Sequence, residues 1–103
     1  MTVPIREKVV SWEDPLAIAA AGRDLTGREF LEAVRAGRIP PPPIARLLGF
    51  ALTAVGEGEA TFSGTPDESV FNPIGTVHGG YVATLLDSAL GCAVQTTLPA
   101  GTA

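Results

Sequence analysis

From Gly79 to about Thr97 apolar residues recur every three or four positions. Val82, Leu85, Leu86, Ala89, Leu90 and Ala93 fall on one broad face, which predicts a helix. Thr84, Asp87, Ser88, Gly91 and Gln95 form the narrow opposite stripe. Upstream the period is two. Phe50, Leu52 and Ala54 alternate within residues 50–57, and Ala60, Phe62 and Gly64 within residues 59–65, predicting a hairpin that turns at Gly58 and buries one face. Glu57 and Glu59 then become solvated charges at its tip. Pro66 to Gly75 reads as a loop, with turn chemistry at Pro66-Asp67 and Asn72-Pro73.

The first part of the chain is helical by its punctuation. Asp14-Pro15 can open a short helix that Gly22 stops after Ala21. Thr26 and Glu29 have capping-box spacing, and Phe30, Leu31 and Val34 give the helix behind them one apolar face until Gly37 ends it. Pro40 to Pro43 must be extended, and a spacer is the better reading of it than a ligand for aromatic-lined grooves. Ile44 to Leu48 suits one helical turn closed by Gly49. The expected division is therefore a helical extension with a proline-rich linker over 1–48, and a hairpin-and-helix unit over 49–103. Trp12 reads as a packing anchor for the extension and Cys92 as a small core residue of the long helix.

A helix this apolar needs cover around most of its circumference, and two strands cannot supply it. The expectation is an α+β fold of which only the N-terminal part is present, with Pro99 to Ala103 reading as a turn that leads onward.

Length and charge narrow the function classes. With 103 residues, 46% of them hydrophobic, the chain is a single folded domain at most. All seven basic residues lie within the first 46 positions, where six acids offset them, so no cluster suited to a nucleic-acid backbone exists. One cysteine and one histidine exclude an internal disulfide and a Cys/His zinc site, and neither metal nor cofactor is implied. Charges interrupt the first ten residues where a signal peptide needs an apolar run, which makes the cytoplasm the expected compartment. Asp87, Gly91 and Gln95 break the best candidate for a membrane span.

Asp87 is the one charged residue in the 35 positions from Ser69 to Ala103, nine residues after the lone His78. Burying an unpaired carboxylate costs several kcal/mol unless it is paired, protonated or used, which makes Asp87 a site candidate. His78-Gly79-Gly80 opens the helix, so the Gly79 N–H is an orphan donor at a positive helix end and suits an oxygen gaining negative charge. Two glycines making a tight entry turn is the equal alternative.

Asn72, five residues, His78-Gly79-Gly80 and then Asp87 together resemble the hotdog-fold acyl-CoA thioesterases of the phenylacetate-pathway (PaaI-like) group, with the likeness running from about Pro43 to Ala103. The resemblance implies a long helix wrapped by an antiparallel sheet of five or six strands, in homodimers or homotetramers with sites at the interface. It implies that Gly79 polarises the thioester carbonyl and that Asp87 acts as general base or nucleophile. It further implies that Asn72 orients water or the reacting group and that His78 orders the helix entry. Val77, Gly80 and Thr84 are expected to line the acyl-CoA. A Ser or Thr on a strand after the helix, and basic residues for the coenzyme phosphates, have no counterpart. A non-catalytic acyl-CoA-binding module and an inactive fragment are the alternatives, and dehydratases of the same fold rank low because they lack His-Gly-Gly at the helix start.

One deduction needs no family. Eight residues separate Gly79 from Asp87, about 12 Å along a helix at ~1.5 Å per residue. A base must come within about 3 Å of its proton, so the two cannot serve one carbonyl within one copy. The spacing argues for a site shared between chains.

Overall fold

The computed structural model describes residues 1–102 and is α+β, with four helices and one two-stranded antiparallel sheet among them. The Asp14 side chain accepts the Leu16 N–H and starts α1 (Pro15–Ala21). The capping box of α2 (Gly27–Arg35) is complete: Thr26 Oγ1 accepts the Glu29 N–H at 3.1 Å, and the Glu29 carboxylate accepts the Thr26 N–H at 2.9 Å. α3 (Pro43–Leu48) begins one residue earlier than expected, because proline loses nothing at the first helical position. Gly49, with φ of 73°, closes it by donating to the Ala45 carbonyl at 2.9 Å. Ile18, Ala33 and Ile39 form a small core, flanked by Leu25, Phe30 and Val34.

β1 (Phe50–Gly56) and β2 (Glu59–Gly64) pair around Gly58, where φ is 71°. The expected alternation fails after Leu52. The register shifts between Leu52 and Ala54, leaving Thr53 as the extra residue, with its hydroxyl donating to the Thr61 carbonyl. Val55 therefore turns inward opposite Ala60 and Ala54 turns out, while Leu52 pairs with Phe62 and Phe50 with Gly64. The Phe50 and Phe62 rings meet edge to face at 5.9 Å. A 3-10 turn, Glu68–Val70, interrupts the expected loop, with the Asp67 side chain accepting the Ser69 N–H.

α4 (Gly79–Gln95) lies against the hairpin through a different side than the pattern suggested. Tyr81 is buried, and Thr84, Leu85, Ser88, Ala89, Cys92 and Ala93 are half-buried. Val82, Leu86 and Leu90, placed on the buried face by the sequence reading, are exposed, as is Val94. Two strands cover only one side of a helix about 10 Å wide, and Tyr81 lies on that side with its hydroxyl in the space beside Gly64. Trp12 is likewise exposed, not an anchor. The open edges and the bare Val82–Leu86–Leu90–Val94 stripe should drive association. By size exclusion the chain is expected to run heavier than its 10.6 kDa monomer, and Leu86→Glu with Leu90→Glu to return it to that mass. A monomeric peak for the unmodified chain would refute this.

The proline-rich stretch does not hold the first part of the chain away from the second. α2 packs on β1, the Gly27 N–H donates to the Leu98 carbonyl at 3.0 Å, and Thr96 Oγ1 accepts the Gly58 N–H at 2.7 Å. The far end of α4 is thus tied to α2 and to the hairpin tip together. Beyond it, Ala100 and Gly101 turn, with Thr102 donating to the Pro99 carbonyl, and Ala103 of the expected terminal turn lies outside the described residues.

Candidate functional site

The segment from Val70 to Tyr81 is a loop closed on itself. Asn72 builds it: Oδ1 accepts the N–H groups of Ile74 and Thr76, and Nδ2 donates to Thr76 Oγ1 at 2.8 Å. The Asn72 backbone N–H bonds the Thr76 carbonyl, and Gly75, with φ of 83°, makes the reversal. Phe71 and Val77 then pair as an isolated bridge, and the His78 N–H donates to the Val70 carbonyl at 2.9 Å. The side chain expected to orient water is therefore occupied in holding the loop that delivers His78.

His78 is the N-cap of α4. Its Nδ1 accepts the Gly80 N–H at 2.7 Å, which fixes the ring over the helix entry and takes the Gly80 donor out of use. Gly80 is small for that reason, since a Cβ there would lie 2.8 Å from His78 Nδ1. Gly79 has no such reason. A Cβ at Gly79 would meet nothing within 4 Å, its φ is not positive, and no acceptor among the described residues takes its N–H.

Thr84 is half-buried on α4 and donates back to the Gly80 carbonyl at 2.8 Å, so its hydroxyl is spent within the helix. Asp87 is exposed, two turns along α4 beside the open stripe, and the burial cost inferred from sequence does not apply within one copy. Its carboxylate has no hydrogen-bond partner among the described residues. The structure thus gathers Asn72, Val77, His78, Gly79 and Gly80 at one end of α4 and leaves Asp87 apart from them.

Tyr81 carries a signal that the pattern reading missed, the one aromatic of α4, at its third position. It lines a cleft of about 260 Å³ beside His78, between Leu48, Val70 and Phe71. Such a volume falls short of the ~300–1,000 Å³ of an ordinary ligand pocket, so one copy offers a rim rather than a full site. The Tyr81 hydroxyl is buried without a partner among the described residues. At the other end of α4 Cys92 is half-buried, and burial raises its thiol pKa.

Among the described residues no three or more His, Cys, Asp or Glu side chains converge as a metal site would require, and no helix is long and apolar enough to cross a membrane. Comparison with protein-family models, curated proteins and solved structures finds no match for this chain.

Proposed function

We propose that this chain carries the loop and helix of an acyl-CoA thioesterase site of hotdog type, completed between two copies. The observation that carries the reading is Gly79: a glycine that neither its backbone conformation nor its packing requires, with a free N–H at a helix start. A position kept bare on both counts suits close approach of a carbonyl oxygen, and such a donor typically contributes ~10²–10³ in rate. The thiolate of coenzyme A leaves in one of two ways: water attacks the thioester carbon and gives its proton to a carboxylate, or the carboxylate itself attacks and water then hydrolyses the resulting anhydride to the free acid. Asp87 of the partner subunit acts as base or nucleophile, since its own copy holds the donor ~12 Å away. Asn72 and His78 hold the donor in place. Exposure of Asp87 on an uncovered face fits a group that finds its surroundings only on assembly.

Mixing two defective forms of the intact protein tests this. Asn72→Ala damages the loop and Asp87→Asn removes the acid, so each alone should be inactive toward acyl-CoA. Refolded together in equal amounts, half of the dimers are mixed and each holds one undamaged site of two. About a quarter of the full activity should return under two-fold symmetry. Mixed dimers that stay inactive would place the loop and the acid within one chain.

A further inference from the structure

The first thirteen residues form an extended strap without secondary structure, and its polar side chains reach a segment some sixty positions away. Lys8 Nζ donates to Asp67 Oδ2 at 3.0 Å and to Ser69 Oγ at 2.6 Å, and Arg6 pairs with Glu68. Farther along, Arg46 holds Glu13 through two hydrogen bonds. Val3, Ile5 and Val9 point to solvent and Val10 alone of the strap's apolar residues is half-buried, so charges do most of the holding.

What it holds is the entrance to α4. Asp67 and Ser69 fix the 3-10 turn, with the Val70 N–H on the Asp67 carbonyl at 3.2 Å. The Val70 carbonyl takes the His78 N–H, and His78 Nδ1 takes the Gly80 N–H. Only the Gly79 N–H between them stays free. An unbroken series of hydrogen bonds therefore runs from Lys8 to the two residues flanking that donor.

We infer that Lys8, seconded by Arg6, is a positioning residue that sets the orientation of the Gly79 donor through Asp67, Val70 and His78. The functional half of this inference rests on the thioesterase reading; the structural half does not. Both cations would otherwise be surface charges without consequence. Placed here, they explain why an extension with so few buried apolar residues is tied down at all.

Amide hydrogen exchange in the intact protein tests the structural half. In Arg6→Gln/Lys8→Gln, protection at His78 and Gly80 should fall about fivefold, the scale of two exposed ion pairs. Amides in the middle of α4, such as Leu86, should keep theirs, and Lys8→Arg should restore protection near the helix start. Unchanged exchange at His78 and Gly80, or equal loss along all of α4, overturns the inference. If exchange responds, the same variants should lower kcat for thioester hydrolysis and leave KM in place, as loss of transition-state alignment requires. A response in exchange without measurable thioester hydrolysis in the parent protein would keep the clamp and sink the thioesterase reading.

Acid gives a second handle. Hydrogen bonds from Ser69, then Lys8, lower the Asp67 pKa from the ordinary 3.8 to about 2. A depressed carboxylate contributes stability that is present above its unfolded pKa and lost as pH falls through the folded one. Protection at His78 and Gly80 should hold from neutrality to about pH 4 and decline between there and pH 2, with Arg6 and Glu68 the neighbouring charged groups. Asp67→Asn should lessen that decline, and Asp67→Asn with Glu68→Gln should remove it.

Discussion

Gly27→Ala should destabilise the chain severely, although alanine is the better helix former by about 1 kcal/mol. A Cβ at Gly27 would lie 1.7 Å from the Gln95 carbonyl oxygen and 2.7 Å from its carbon. Both are backbone atoms at the end of α4, so no side chain can rotate away. α2 must withdraw, which also strains the Gly27 N–H bond to Leu98. Overpacking of this kind costs about 1–3 kcal/mol or more, and in a domain this small each kcal/mol is worth roughly 4–8 °C of melting temperature. A drop of about 10 °C or more by circular dichroism is the expected result. A rise would mean that propensity decides and that the α2–α4 junction is loose.

On the proposed thioesterase reading Asp87→Asn carries the other large effect, an expected loss of at least ~100-fold in kcat/KM toward acyl-CoA, the scale on which a positioned acid-base group acts. Because Asp87 is exposed and unbonded within its own copy, the substitution should move stability by no more than about 0.5 kcal/mol. Activity and folding therefore separate cleanly at this position. Glu57→Gln, at the exposed hairpin tip, is the matching control and should leave turnover unchanged. Near-normal hydrolysis of several acyl-CoA substrates by the Asn variant would remove Asp87 from the chemistry.

Local chemistry was legible in the sequence. Thr26 and Glu29 cap as their spacing required, Gly49 and Gly58 take the left-handed conformations that glycine alone adopts without strain, and Gly79 opens α4. What the pattern could not show was which elements share a surface. Alternation along β1 assumed an unbroken ladder, and the bulge at Thr53 turned Val55 inward instead of Ala54. The wheel of α4 identified its apolar residues, but it could not tell that a two-stranded sheet would cover the Tyr81 side and leave Leu86 and Leu90 bare. At the site, the Asn72 side chain was expected to orient water and instead closes the loop that delivers His78. The hydrogen bonds of Asn72 and His78, which leave Gly79 with the free donor, depend on the Val70 carbonyl and on a strap sixty residues upstream.

The ties that hold α4 also fix an order of events during folding. The hairpin and the helix can form from near neighbours, in microseconds or less. Lys8 cannot find Asp67, nor Gly27 its bond to Leu98, until most of the chain has been brought together. Closing such long loops adds little to the equilibrium cost, about 0.6 kcal/mol per doubling of length, but it sets the pace. Until then both ends of an apolar helix are loose. Refolding yield should therefore fall steeply with protein concentration, and the vulnerable interval ends when Arg6 and Lys8 clasp a turn some sixty residues downstream.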